Sequence, residues 1–184
     1  MKAIIFKLIT NLILTSIFLS LFSCCKSLIP ADDELTLKRE NYDGKDIRTD
    51  GYYFRLNYTK EEGHYDTYFF YKNGIVLYSG TIPESTLNKF IDYLQNFDKS
   101  KNNYKSSWGV FLITDSIIKF EKWYPSSAFE PTPTYIREGK ILNDTTFQIT
   151  KTYRGNGSEL KEVDEIYHFK KFSPKPDSTN VFIK

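Results

Sequence analysis

The stretch YDTYFFYKNGIVLYSG, residues 65–80, decides the fold class. Two β-rich runs flank Asn73-Gly74, a pair that accepts the positive backbone angles of a type I′ turn, so the stretch predicts a β-hairpin. With a two-residue turn, Tyr71 faces Val76 and Phe69 faces Tyr78 on one side of the sheet, while Phe70 faces Leu77 on the other. Both faces are largely apolar, so the hairpin is expected to be central or covered.

On the N-terminal side, GYYFRLNY (residues 51–58) alternates with period two, Tyr52, Phe54, Leu56 and Tyr58 sharing one face, and reads as a strand. On the C-terminal side, PESTLNKFIDYLQNF places Leu87, Phe90, Ile91, Leu94 and Phe97 along one helical stripe, with Pro83 near its start and Glu84 in the first turn. This predicts one helix over about 84–97, able to cover a face or an open end of the sheet. Further on, DSIIKFEKWY from Asp115 and DTTFQITKTY from Asp144 align without a gap, each Asp falling in the turn of a predicted hairpin. The spans total about eight strands: 51–58, 65–72, 75–80, 108–114, 117–124, 135–142, 145–153 and 163–172. A mainly β antiparallel meander of that count predicts an up-and-down barrel or a strongly curved sheet, with the helix between strands three and four.

The first 23 residues have the layout of an export signal: Lys2 and Lys7, an apolar core from Leu8 to Phe22, then Ser23. As a helix this core rises roughly 22 Å, short of the ~30 Å hydrocarbon layer, which argues against an uncleaved span. Leu21-Phe22-Ser23-Cys24 resembles the lipobox of bacterial lipoproteins, in which the cysteine carries diacylglycerol and becomes the first mature residue. The resemblance implies a signal helix and signal peptide over 1–23 and lipidation at Cys24, which has Leu at minus three and Ser at minus one, rather than at Cys25. No third cysteine exists, so no intramolecular disulfide braces the mature domain. Residues 24–50 are charged and aperiodic and read as a flexible tether, leaving 51–184 as a single β domain.

Removing Lys2 and Lys7 from 25 basic residues leaves 23 against 23 acidic ones. A neutral mature chain lacks the basic footprint of a nucleic-acid binder. The sequence shows no HExxH, no G-x-S-x-G and no phosphate loop, and His64 and His168 are the only histidines. No catalytic residue, metal ligand or cofactor is therefore assigned.

The lipobox, the strand count and the hairpin pattern of WGVFLITDSIIKFEKW together resemble small bacterial envelope lipoproteins with a lipocalin-like β domain, although the helix before strand four departs from the lipocalin order. The resemblance implies a membrane-anchored, non-catalytic binding or scaffolding module of the envelope, associated with the outer membrane through its diacylglyceryl anchor and facing the periplasm or the surface. Its expected partner is an envelope protein; the alternatives are a carrier of a small apolar ligand or glycan, and a hydrolase with an unrecognised site. Trp108, Trp123, Tyr124 and Tyr135 are the candidate ligand or partner surface, because aromatic rings near strand ends can stack on sugars or line a cavity mouth. Ser116, Thr145 and Ser178, each following Asp, resemble acceptors of a periplasmic O-glycosylation system, and the same pairs are ordinary turn formers.

Overall fold

The computed structural model describes residues 31–59, 62–83, 89–101, 104–127 and 130–184. The signal segment, Cys24 and residues 84–88 lie outside the described residues. The chain divides into two units, one of Met1–Asp32 with Ser126–Pro131 and one of Asp33–Pro125 with Thr132–Lys184. In the first, the described loop is tied by Ser126 Oγ donating to the Glu130 carbonyl and by the Glu130 N–H donating to that of Ser127, both at 3.1 Å.

The second unit is the β domain. Its strands are β1 (Gly51–Thr59), β2 (Glu62–Phe70), β3 (Ile75–Pro83), β4 (Trp108–Thr114), β5 (Ile117–Trp123), β6 (Thr134–Asn143), β7 (Thr146–Arg154) and β8 (Lys161–Lys171). Each pairs antiparallel with the next, and β1 returns to β8 through Tyr53↔Phe169, closing the expected up-and-down barrel. Two seams are short: β3 meets β4 over Ile75–Leu77 and β1 meets β8 over Gly51–Phe54. The helix α1 (Phe90–Ser100) lies between β3 and β4, as the apolar stripe implies.

The hairpin at Asn73-Gly74 forms with a different turn. Gly74 N–H donates to the Tyr71 carbonyl and Tyr71 N–H to that of Ile75, each at 3.0 Å, so Tyr71–Gly74 is a four-residue turn in which Gly74 alone has positive φ (78°). The pairing becomes Phe70↔Val76 and Phe69↔Leu77, one residue away from the register expected for a two-residue turn. That single step moves the side chains from Ile75 to Tyr78 to the opposite face, and a bulge between Tyr78 and Gly80 restores the expected register from Gly80 onward. A Cβ on Gly74 would sit 2.0 Å from the Glu40 carbonyl oxygen, so the upstream chain packs directly on this turn and admits only glycine there. The mirror-image geometry appears instead at Asp115-Ser116, where both residues have positive φ (50° and 63°) between Thr114 and Ile117.

In the observed register, the inner face holds Tyr53, Tyr68, Phe70, Phe111, Phe120, Phe147 and Tyr167 with Val76, Ile118 and Ile149. These rings fill one half of the barrel in edge-on and stacked contacts, such as Phe70–Phe111 at 5.1 Å and Phe147–Tyr167 at 5.0 Å. The outer face of β1–β4 buries Tyr52, Phe69, Leu77 and Trp108 beneath Phe90 and Leu94 of α1, with Phe172 and Phe182 of the C-terminal segment alongside. The helix thus covers a face of the sheet rather than an open end.

The expected flexible tether is corrected from Asp33 onward. Trp123 Nε1 donates to the Asp33 carbonyl at 2.8 Å, and Arg154 Nη2 lies 3.1 Å from Asp33 Oδ2. Glu121 Oε2 accepts the N–H groups of Thr36 and Leu37 at 2.7 and 2.8 Å. Tyr42 N–H donates to the Lys72 carbonyl at 2.7 Å, its ring meets Phe111 at 5.5 Å, and Ile47 closes the ring-filled end. Asp33–Asp50 is a strap along the barrel. Its charged composition conceals this because it binds through backbone groups and a few anchors, a pattern with no periodicity.

Candidate functional site

Along the inner face, two residues beyond the ring layer, the lining changes to charges. On β1 the step is from Tyr53 to Arg55, on β2 from Tyr68 to Asp66, on β5 from Phe120 to Lys122 and on β8 from Tyr167 to Glu165. Arg137 on β6 pairs in register with Phe120 and so faces inward as well.

These groups touch one another. Arg55 Nη2 is 2.8 Å from Asp66 Oδ2 and its Nη1 is 2.7 Å from Glu165 Oε1. The other Glu165 oxygen pairs with Arg137 Nη2. Thr81 Oγ1 and Tyr78 OH donate to Asp66 Oδ1 at 2.9 and 3.2 Å. Arg137 Nη2 also reaches the Tyr167 hydroxyl at 3.4 Å. Burial pushes the Tyr167 hydroxyl up to about 12, against the pull of Arg137 and Arg55, so it stays a neutral donor and acceptor.

Lys122 is the third cation. Its ammonium lies 3.8 Å from the Tyr124 ring centroid and 4.7 Å from that of Tyr78, and donates to the Ser106 and Trp123 carbonyls at 3.1 and 3.2 Å. Burial drives its pKa down to about 7; Arg137 adds to the shift and Asp66 opposes it. The layer thus holds three basic groups and two carboxylates. The Nε atoms of Arg55 and Arg137 are buried and have no hydrogen-bond partner among the described residues. Such an arrangement can hold an oxygen anion; it presents no nucleophile paired with a base.

The residues singled out from sequence separate. Trp108 is fully buried under α1, its Nε1 donating to the Lys101 carbonyl at 3.1 Å, and Trp123 is buried with its Nε1 committed to Asp33. Neither indole can stack on a ligand here; both pack the outer face. Tyr124 and Tyr135 do meet, edge to face at 5.2 Å and partly exposed, with Tyr135 OH donating to Glu159 at 2.5 Å. Ser116 is exposed in the β4–β5 turn, Thr145 Oγ1 donates to Asn143 Oδ1 in the β6–β7 turn at 2.7 Å, and Ser178 Oγ accepts from Asn73 Nδ2 at 2.9 Å. His64 and His168 sit on opposite faces of the sheet. No grouping of three His, Cys, Asp or Glu able to hold a metal ion occurs among the described residues. Outside the barrel, Tyr52, Phe54, Tyr65, Thr67, Phe90 and Lys170 line a groove of about 230 Å³.

No family model, curated protein or solved structure matches the chain. Sequence reading missed Arg55, Asp66, Lys122, Arg137 and Glu165. Four of them lie two positions from ring residues on β1, β2, β5 and β8, which is the signal available, but only the register shows that they converge.

Proposed function

We propose that the chain is a lipid-anchored, non-catalytic binding or scaffolding module of the bacterial cell envelope, attached through Cys24 and associated with the outer membrane. The observation that carries the binding reading is the two-part barrel interior, ring-filled at one end and charged at the other with buried donors unused. The anchoring half rests on the lipobox-like Leu21-Phe22-Ser23-Cys24.

Rings where a hollow lumen would be weigh against an apolar ligand inside the barrel. The outer 230 Å³ groove supports the carrier alternative in a different place, with Phe54 and Phe90 as walls and Lys170 at its margin. For a protein or glycan partner, the partly exposed Tyr124–Tyr135 pair is what remains of the aromatic surface.

Metabolic labelling with a palmitate analogue tests the anchor. Label should enter the wild-type chain and Cys25→Ala, which should fractionate with the outer membrane, and should be absent from Cys24→Ala. Undiminished label in Cys24→Ala would refute the assignment. Turnover of a substrate by the purified chain, abolished by a single carboxylate or His substitution, would overturn the non-catalytic reading.

A further inference from the structure

We propose that the charged half of the barrel interior is an oxyanion site, holding one singly charged carboxylate or phosphodiester group among Arg55, Arg137 and Lys122. This names the ligand class of the binding module and rests on that reading.

Charge is the first argument. Arg55, Arg137 and Lys122 face Asp66 and Glu165, so with every group ionised one positive charge lacks a counterpart. An uncompensated buried charge is strongly destabilising, and an entering anion removes the deficit. Burial holds the Lys122 ammonium near its deprotonation point when the layer stands alone, the response expected of a cation missing its partner.

Donor geometry is the second. The carboxylates fix both guanidiniums through their Nη atoms and leave each Nε–H buried and unused. Buried donors are nearly always satisfied, so two orphans in one layer call for an acceptor. A charged fork already oriented by carboxylates needs little reordering to accept an oxygen.

Access is the third. Although they face inward, Arg55 and Arg137 keep 19% and 13% of their side-chain surface, while each Nε itself is buried, so solvent reaches the side chains and an entering anion must shift them slightly to meet the Nε–H groups. The carboxylates also set selectivity. Asp66 and Glu165 would repel a second negative charge, so a dianion such as sulfate is disfavoured. Tyr78 and Tyr124 offer flat walls beside Lys122, suited to the organic part of the ligand.

The test follows the Arg Nε–H signals of the full chain in non-ionic micelles by ¹⁵N–¹H NMR, titrating benzoate, dimethyl phosphate or sulfate at constant ionic strength set with chloride. The Arg55 and Arg137 signals should move saturably with benzoate or dimethyl phosphate, whichever group the site prefers, while Arg154 at its ion pair with Asp33 stays put. Arg137→Gln should weaken the binding by about tenfold or more, the loss of one charge-assisted hydrogen bond. Because that variant can unfold, Lys122→Met serves as the second probe: it removes the excess charge, keeps both guanidiniums, and should also weaken binding about tenfold. No saturable movement with any probe in a folded wild-type chain, or equal binding in Lys122→Met, would overturn the site. Sulfate binding as tightly as the monoanions would overturn the single-charge assignment. Palmitate labelling at Cys24 is independent of these outcomes, so failure here leaves the anchored-module reading standing.

Discussion

The carboxylate of Glu121 accepts the backbone N–H of Thr36 at 2.7 Å, tying residues 85 apart in sequence. Glu121 is fully buried and takes the Leu37 N–H and the Thr36 hydroxyl on the same oxygen. Glu121→Ala would strand two backbone donors at about 1–3 kcal/mol each, so a loss on the order of 2–6 kcal/mol is expected in denaturant titration. Amide exchange should show Thr36 and Leu37 losing protection while the β4–β5 ladder keeps it. A variant within about 0.5 kcal/mol of wild type would mean the strap contributes nothing to stability.

The strap also sets where a soluble fragment can begin. A chain starting at Thr49 lacks Ile47, the Asp33–Arg154 pair and the Glu121 ties. It is expected to unfold at markedly lower denaturant than one starting at Ala31. Identical midpoints would remove the strap from the folded domain.

Leu94 of α1 is 3% exposed and packs in the outer cluster with Trp108 and Phe69. Leu94→Ala should cost about 2–5 kcal/mol, the range for emptied core positions. Phe90, whose ring meets Tyr52 at 4.9 Å and Phe172 at 5.7 Å, should behave alike. Losses below about 0.5 kcal/mol for both would make the helix peripheral.

Stability should rise with pH through the window that Lys122 defines. Its folded pKa of about 7 lies below the ordinary lysine value, so between the two the unfolded chain binds the extra proton and folding gains as pH rises. The groups facing it are Arg137, Asp66, Tyr78 and Tyr124. The full rise, from about 7 to about 10.5, is on the order of 5 kcal/mol. Lys175, lowered by burial to about 8, adds in the same direction at higher pH. Above about 10 the sign reverses, because Tyr52 and Tyr167, raised by burial to about 12, ionise first in the unfolded chain. Lys122→Met should remove the rise between about pH 7 and 8; an unchanged slope in that interval would sink the assignment.

Local chemistry made much of the fold legible. Period-two alternation marks β1, the Asp115 turn between two β-rich runs places β4 and β5, all three within a residue or so of their observed bounds, and the stripe through Phe90 and Leu94 marks α1, because these signals are local. Register was not legible. Whether the loop at Asn73-Gly74 has two residues or three is not written in that dipeptide, and it decides whether Val76 and Tyr78 line the barrel or its outside. The strap was hidden for the same reason, since its anchors Glu121 and Arg154 lie 85 and 121 residues from their partners Thr36 and Asp33. The charged layer is the furthest case: Arg55, Asp66, Lys122, Arg137 and Glu165 each read as an ordinary polar residue on a strand, and only barrel closure turns all five inward to one place.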